Sequence, residues 1–196
     1  MAEIIKDGRT GDTAKVDTNN RIHTQSLSVS ATLHEHLESN AYDVSTGQLV
    51  DLGGVVDSGL IYVKNIGDLD LIVETIFIDT GNSNIADLAG TLTWHLNPDA
   101  GTVISEALAA QVLSRRIGSP VNISAQAYTA AVGGKTLSGG DTITLPFPQN
   151  AGVPFAKPFI IPKGQSFGVS YQAPVGTTSM DVQVGLLVII DTTGTV

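Results

Sequence analysis

Any chemistry in this 196-residue sequence has to start from histidines, carboxylates and glycine-flanked lysines, because it contains no cysteine. His34, Glu35 and His36 are the one place where ligand-type side chains crowd together. On a strand His34 and His36 share a face, with Cα atoms about 6.6 Å apart from the rise per residue, and Glu38 is in register with them. Such a pair takes up a divalent metal when a third donor approaches. His23 and His95 are the only other histidines, and nothing in the sequence brings either one close. The stretch reads as a polar strand end, and no metal is expected.

Gly133-Gly134-Lys135-Thr136 has the ending of a phosphate-binding loop, in which backbone amides cradle phosphate and the lysine reaches its outer oxygens. Thr129 stands where the first glycine of that motif is required, and no long apolar helix follows, so the segment reads as a loop. Asp68, Asp70 and residues 80–84 offer oxygen donors for calcium, but without the spacing of an EF-hand loop, and they read as solvated turns. A serine nucleophile would need a GxSxG-type elbow, which is missing. Glycoside hydrolysis would need two converging carboxylates, and Glu35, Glu38, Glu74 and Glu106 show no spacing that selects a pair. Asn122-Ile123-Ser124 is a glycosylation sequon, which has meaning only on a secretory route. The expectation is therefore a non-enzymatic protein without a cofactor. Arg115 and Arg116 form the sole basic pair beyond residue 21. In an acidic chain they suit a salt bridge to a neighbouring molecule, against the alternative of plain solvation.

The elements that would position these groups follow from composition and pattern. The net charge is −9, which argues against nucleic acid as a partner of the folded body. Aromatic residues make up 5% of the chain, so the core must be built from Val, Ile, Leu and Ala, which favours strands. No continuous apolar segment opens the chain as a secretory signal does. The longest apolar run, Leu186 to Ile190, is far too short to span a bilayer, so no membrane is expected.

The C-terminal stretch from Phe159 to Asp191 reads as two long strands. Met180, Val182, Val184, Leu186, Val188 and Ile190 occupy alternate positions, which a pleated strand sends to one face. Leu187 and Ile189 on the other face require a second contact, which places this strand at the centre of a sheet or against another subunit. Leu92, Trp94 and Leu96 alternate with Thr91, Thr93 and His95, which points the only tryptophan inward. Residues 60–66 and 69–78 read as a hairpin turned at Gly67-Asp68, with Leu69, Leu71, Val73, Thr75 and Phe77 on one face, and residues 80–84 as a turn. Residues 103–113 are ambiguous between strand and short helix, and a long excursion runs from 113 to 140. About eight strands and no helix of convincing length predict an all-β fold, an antiparallel β-sandwich of jelly-roll type over residues 22–196. Residues 1–21 hold four basic and four acidic side chains and few large apolar ones. They read as an extended N-terminal arm of up to about 70 Å, or as a frayed end.

Four stretches together, GRTGDTAKVDTNNRIHTQSLS, TLTWHLNPDAGTVIS, SRRIGSPVNISAQAY and FIIPKGQSFGVSYQAPVGTTSMDVQVGLLVIID, resemble virion structural proteins of tailed bacteriophages. The resemblance is to the small jelly-roll proteins that decorate or cement the head. It implies a homotrimer or other small oligomer docked on the major capsid protein, on the exterior of a phage head assembled in the host cytoplasm. Ile4, Ile5, Lys6 and Arg9 are then the expected arm anchors, with Val16 and Ile22 where the arm meets the body and Arg115 and Arg116 as further contacts. The other expectation from the same resemblance is a neck, collar or tail-fibre module. Such a module would bind a virion protein or a host receptor through the 113–140 loop and an exposed Tyr128.

Overall fold

A computed structural model describes residues 5–6, 13–16, 22–23, 40–53, 57–83, 90–105, 108–121, 123–147 and 151–192. The chain divides into two compact units, Met1–Ala31 and Thr32–Val196. In the first, β1 (Ile5–Lys6), β2 (Thr13–Val16) and β3 (Ile22–His23) form a small antiparallel sheet in that order. The segment read as an arm therefore contains strands that pair with one another.

The second unit is an all-β sandwich. Its elements are β4 (Ala41–Ser45), β5 (Val50–Asp51), β6 (Ser58–Asn65), β7 (Leu71–Ser83), β8 (Gly90–Leu96), the single helical turn α1 (Gly101–Ser105), β9 (Leu108–Ala109), β10 (Gln111–Ser114), β11 (Ala125–Thr129), β12 (Asp141–Phe147), β13 (Ala151–Ile161), β14 (Ser166–Gln172) and β15 (Met180–Ile190). One sheet has the order β10-β4-β15-β7-β13, with β5 also paired to β15, and the other has the order β12-β8-β14-β6-β11-β9. All pairings are antiparallel. Between the sheets lies one core, to which β15 contributes Val182, Val184, Leu186 and Val188 and the opposite sheet contributes Ile61, Leu92, Phe167 and Val169. No helix among the described residues is long and apolar enough to cross a membrane.

The alternation along β15 has the expected result. Its even-numbered residues from Met180 to Val188 are buried in the core, and the strand is central, paired with β4 on one side and β7 on the other. Leu187 and Ile189 are buried on the outer face with Ala41 and Ile72. Trp94 points into the core as expected.

The hairpin expected over 60–66 and 69–78 does not form, because β6 and β7 lie in different sheets. β6 is buried on both faces and takes β14 and β11 as its neighbours, so neither edge is left for β7. The crossing at 66–70 is held by the fully buried Asn65. Its Nδ2 donates to the carbonyls of Leu69 and Ile161, each at 2.8 Å, and its Oδ1 accepts from the Gly67 amide at 2.9 Å. The face expected for β7 also changes along its length. Leu71 and Val73 point inward, but so do Ile76 and Ile78, because the register with β15 slips between Val73 and Thr75. A β-bulge there adds one residue and inverts the alternation. Residues 80–83, expected in a turn, continue β7.

The ambiguous stretch 103–113 holds the end of α1 and then β9 and β10, which belong to opposite sheets. The excursion 113–140 is not all loop, since β11 adds to β6 within it. On the outer face of the β6 sheet, Tyr62, Ala100 and Val103 pack with Tyr128 and Leu137. Gly168 lies under this cover, and a Cβ there would lie 2.6 Å from Leu137 Cδ1 and displace that side-chain tip.

Candidate assembly surface

Two edge strands on one flank of the sandwich carry three of the twelve large apolar side chains that are exposed among the described residues. β12 ends one sheet and β13 ends the other. Phe159 of β13 packs against the sheet that β12 ends, its ring edge-on to Trp94 of β8 at 5.4 Å and tilted against Phe167 of β14 at 5.4 Å. On β12, Ile143 is in register with Trp94 and Leu145 with Leu92. Both therefore have the period of core residues, yet they are 37% and 44% exposed, because the core-facing side of the last strand extends past what the facing sheet covers. Ile160 of β13, 48% exposed, points the other way, in register with Ile72 on the outer face of its own sheet. An open cleft of about 430 Å³ beside them is lined by Leu96, Phe159, Ile160, Ile161 and Phe167 among others.

The strand prolines lie on these two edges: Pro146 on β12, and Pro154 and Pro158 on β13. Proline lacks the N–H that a further strand would need, which guards an edge against sheet extension. The flank is thus an apolar surface for side-chain packing rather than a template for strand addition. A sequence signal marks it. Between Asp141 and Asp181 there is no acidic residue, while Lys157 and Lys163 both occur, in a chain of net charge −9. Reading motifs one at a time misses this block, because no single residue in it is chemically unusual.

The outer face of the opposite sheet is acidic. Asp51 and Asp181 are direct cross-strand partners, and Asp79 is opposite Gln183. Phe77, 42% exposed, lies on the same face. Two ion pairs lie on the surface. Arg115, expected to meet a neighbouring molecule, holds Asp43 in its own chain, with Nε at 3.0 and 2.9 Å from the two carboxylate oxygens and Nη2 at 2.7 Å from Oδ1. The register Leu113 to Asp43 between β10 and β4 brings the two within reach. The Arg116 amide donates to Ser114 Oγ at 3.2 Å. Lys163 pairs with Asp68, and this contact holds the Asp68 carboxyl below its ordinary range.

Of the expected arm contacts, Ile5 and Lys6 lie on β1, and Val16 and Ile22 are direct partners across β2 and β3. Ile4 and Arg9 lie outside the described residues, as do His34, Glu35, His36, Glu38, Glu106 and Asn122. Among the described residues no group of three metal-ligating side chains converges. Three amides of the glycine-lysine stretch are engaged within the chain: Gly133 N–H donates to the Asp51 carbonyl at 2.7 Å, Gly134 N–H to Ser58 Oγ, and Thr136 N–H to Thr102 Oγ1 at 2.8 Å. Tyr128, expected to be exposed, is half-buried against Tyr62 and Val103.

One hydroxyl–imidazole contact was not anticipated. His95 Nε2 lies 2.9 Å from Ser170 Oγ across β8 and β14. Burial lowers the His95 pKa, and the charge of Asp57 opposes that shift in part. Ser170 is only 3% exposed, so the pair fastens two strands together and does not present a nucleophile. No protein family matches the chain, and none of the curated proteins does.

Proposed function

We propose that this is a non-enzymatic virion structural protein of a tailed bacteriophage, a decoration or cement protein that forms a small homo-oligomer on the major capsid protein at the exterior of the head. The supporting observation is the flank at β12, where Ile143 and Leu145 leave apolar surface in water. Apolar side chains at a proline-guarded edge suit packing against a second copy of the chain, which is the homo-oligomer of this reading. Repetition over a lattice makes many weak contacts of this kind effective. The small strands near the N-terminus, with Ile5, Lys6, Val16 and Ile22, provide the second contact in this reading.

The test is co-sedimentation of the purified protein with undecorated capsids, beside a version lacking residues 1–21. Saturable binding that weakens without those residues is expected, and absence of binding by both overturns the decoration reading. A neck, collar or fibre module is the second reading. It is favoured by Ile117, which is fully exposed in the turn that follows β10, and it predicts binding to host cells that Ile117→Asp abolishes.

A further inference from the structure

We infer that the flank formed by β12 and β13 is the surface through which copies of this chain meet, with the flanks of successive copies converging on the rotation axis of a small oligomer. The inference concerns self-association and stands independently of any docking on a particle.

The argument begins with charge. Each copy carries net charge −9, so two copies repel unless they meet where that charge is missing. The outer face of the sheet containing β15 is a poor contact for this reason, since it bears Asp51, Asp79 and Asp181. Bringing two such faces together would desolvate carboxylates against carboxylates. Past Asp141, which opens β12, no acidic residue occurs before Asp181, and this segment supplies the rest of β12 and all of β13.

The second argument is complementarity. Ile143 and Leu145 are apolar, exposed and in register with the core residues Trp94 and Leu92. A like flank from another copy would continue the core outward across the axis. Apolar surface is its own complement, so the same patch serves on both sides of a symmetric contact. The third argument is closure. Pro146, Pro154 and Pro158 prevent the flank from adding strands without limit, which directs association toward packed side chains and a finite oligomer.

The chain has no cysteine, which makes a clean test possible. The oligomeric state of the full-length protein is measured by sedimentation velocity over a range of concentration and salt, for wild type, Leu145→Glu and Phe77→Glu. The expected result is a wild-type oligomer that strengthens as salt screens the net charge. Leu145→Glu should raise its dissociation constant by at least tenfold, while Phe77→Glu, on the acidic face, should leave it unchanged. Leu145→Cys should cross-link into covalent dimers under mild oxidation, and Phe77→Cys should not. Circular dichroism and thermal melting establish that Leu145→Glu remains folded; if it does not, the cysteine pair alone decides. A monomeric wild type, an oligomer disrupted by Phe77→Glu but not by Leu145→Glu, or cross-linking through position 77 overturns the inference.

Discussion

Asn65 is the side chain on which the crossing between the two sheets depends, and its replacement offers a sharp test of the fold. The amide is fully buried, donates to the carbonyls of Leu69 and Ile161, and accepts from the amide of Gly67. Asn65→Ala removes three bonds at about 1 kcal/mol net each, a loss of roughly 3 kcal/mol. For a protein of this size that corresponds to a fall of about 6–12 °C in melting temperature. Asn65→Asp is the more informative variant, because shape is kept and only the donor is lost. An acidic oxygen then faces two carbonyl oxygens at the 2.8 Å now spanned by the amide nitrogen. This repulsion raises the carboxyl pKa in the folded state above the unfolded value of about 3.9, and protonation restores one donor. Between those two values the folded variant binds more protons than the unfolded one, so its stability relative to wild type rises as pH falls. Urea unfolding of both proteins at pH 7 and pH 4.5 measures the gap at each. The gap is expected to be at least as large as that of the alanine variant at pH 7 and smaller at pH 4.5. An aspartate variant as stable as wild type at pH 7, or a gap independent of pH, would refute the role assigned to Asn65.

Other outcomes follow from particular contacts. Burial depresses the His95 pKa below its ordinary 6.5, so the unfolded chain binds more protons in the interval just below that value. Stability should therefore decline as pH drops below about 6.5, and thermal melts at pH 7.5 and 5.5 should show a smaller decline for His95→Gln. Gly133→Ala places a Cβ 2.7 Å from the backbone of Leu52, which cannot move aside as a side-chain tip can. A loss of about 1–3 kcal/mol in urea unfolding is expected, and no loss would contradict the packing. Arg115→Ala breaks the exposed bidentate pair with Asp43 and should cost less than about 1 kcal/mol, with the difference shrinking in 0.5 M salt. Leu186→Ala, at a fully buried position in the centre of β15, should cost about 2–5 kcal/mol and is the largest single loss expected here.

The sandwich was legible in the sequence wherever one face of a strand is wet. Thr91, Thr93 and His95 between Leu92, Trp94 and Leu96 mark β8, and the even-numbered positions from Met180 to Val188 mark the inner face of β15, because alternation reports burial directly. β7 misled for a physical reason. The bulge between Val73 and Thr75 changes which residues face inward without changing residue type, so two regular half-strands read as one continuous face. The candidate surface was harder to read. Its signal is the missing acidic residues between Asp141 and Asp181 together with strand prolines. Neither resembles a motif, and both acquire meaning only when β12 and β13 are seen to be edges.

By itself the sequence determined that strands would form, that aliphatic side chains would fill the core, and that the last strand would be central. These are consequences of local periodicity and composition, which act over a few residues. Tertiary structure decided which strand joins which sheet. β6 and β7, β13 and β14, and β14 and β15 are neighbours along the chain, yet each pair is divided between the two sheets. A hairpin and a crossing between sheets present the same alternating pattern on either side of a short polar turn. The choice between them is made by contacts far apart in sequence, such as the amide of Asn65 on the carbonyl of Ile161, where burying a polar group is favourable only if its distant partner is already in place.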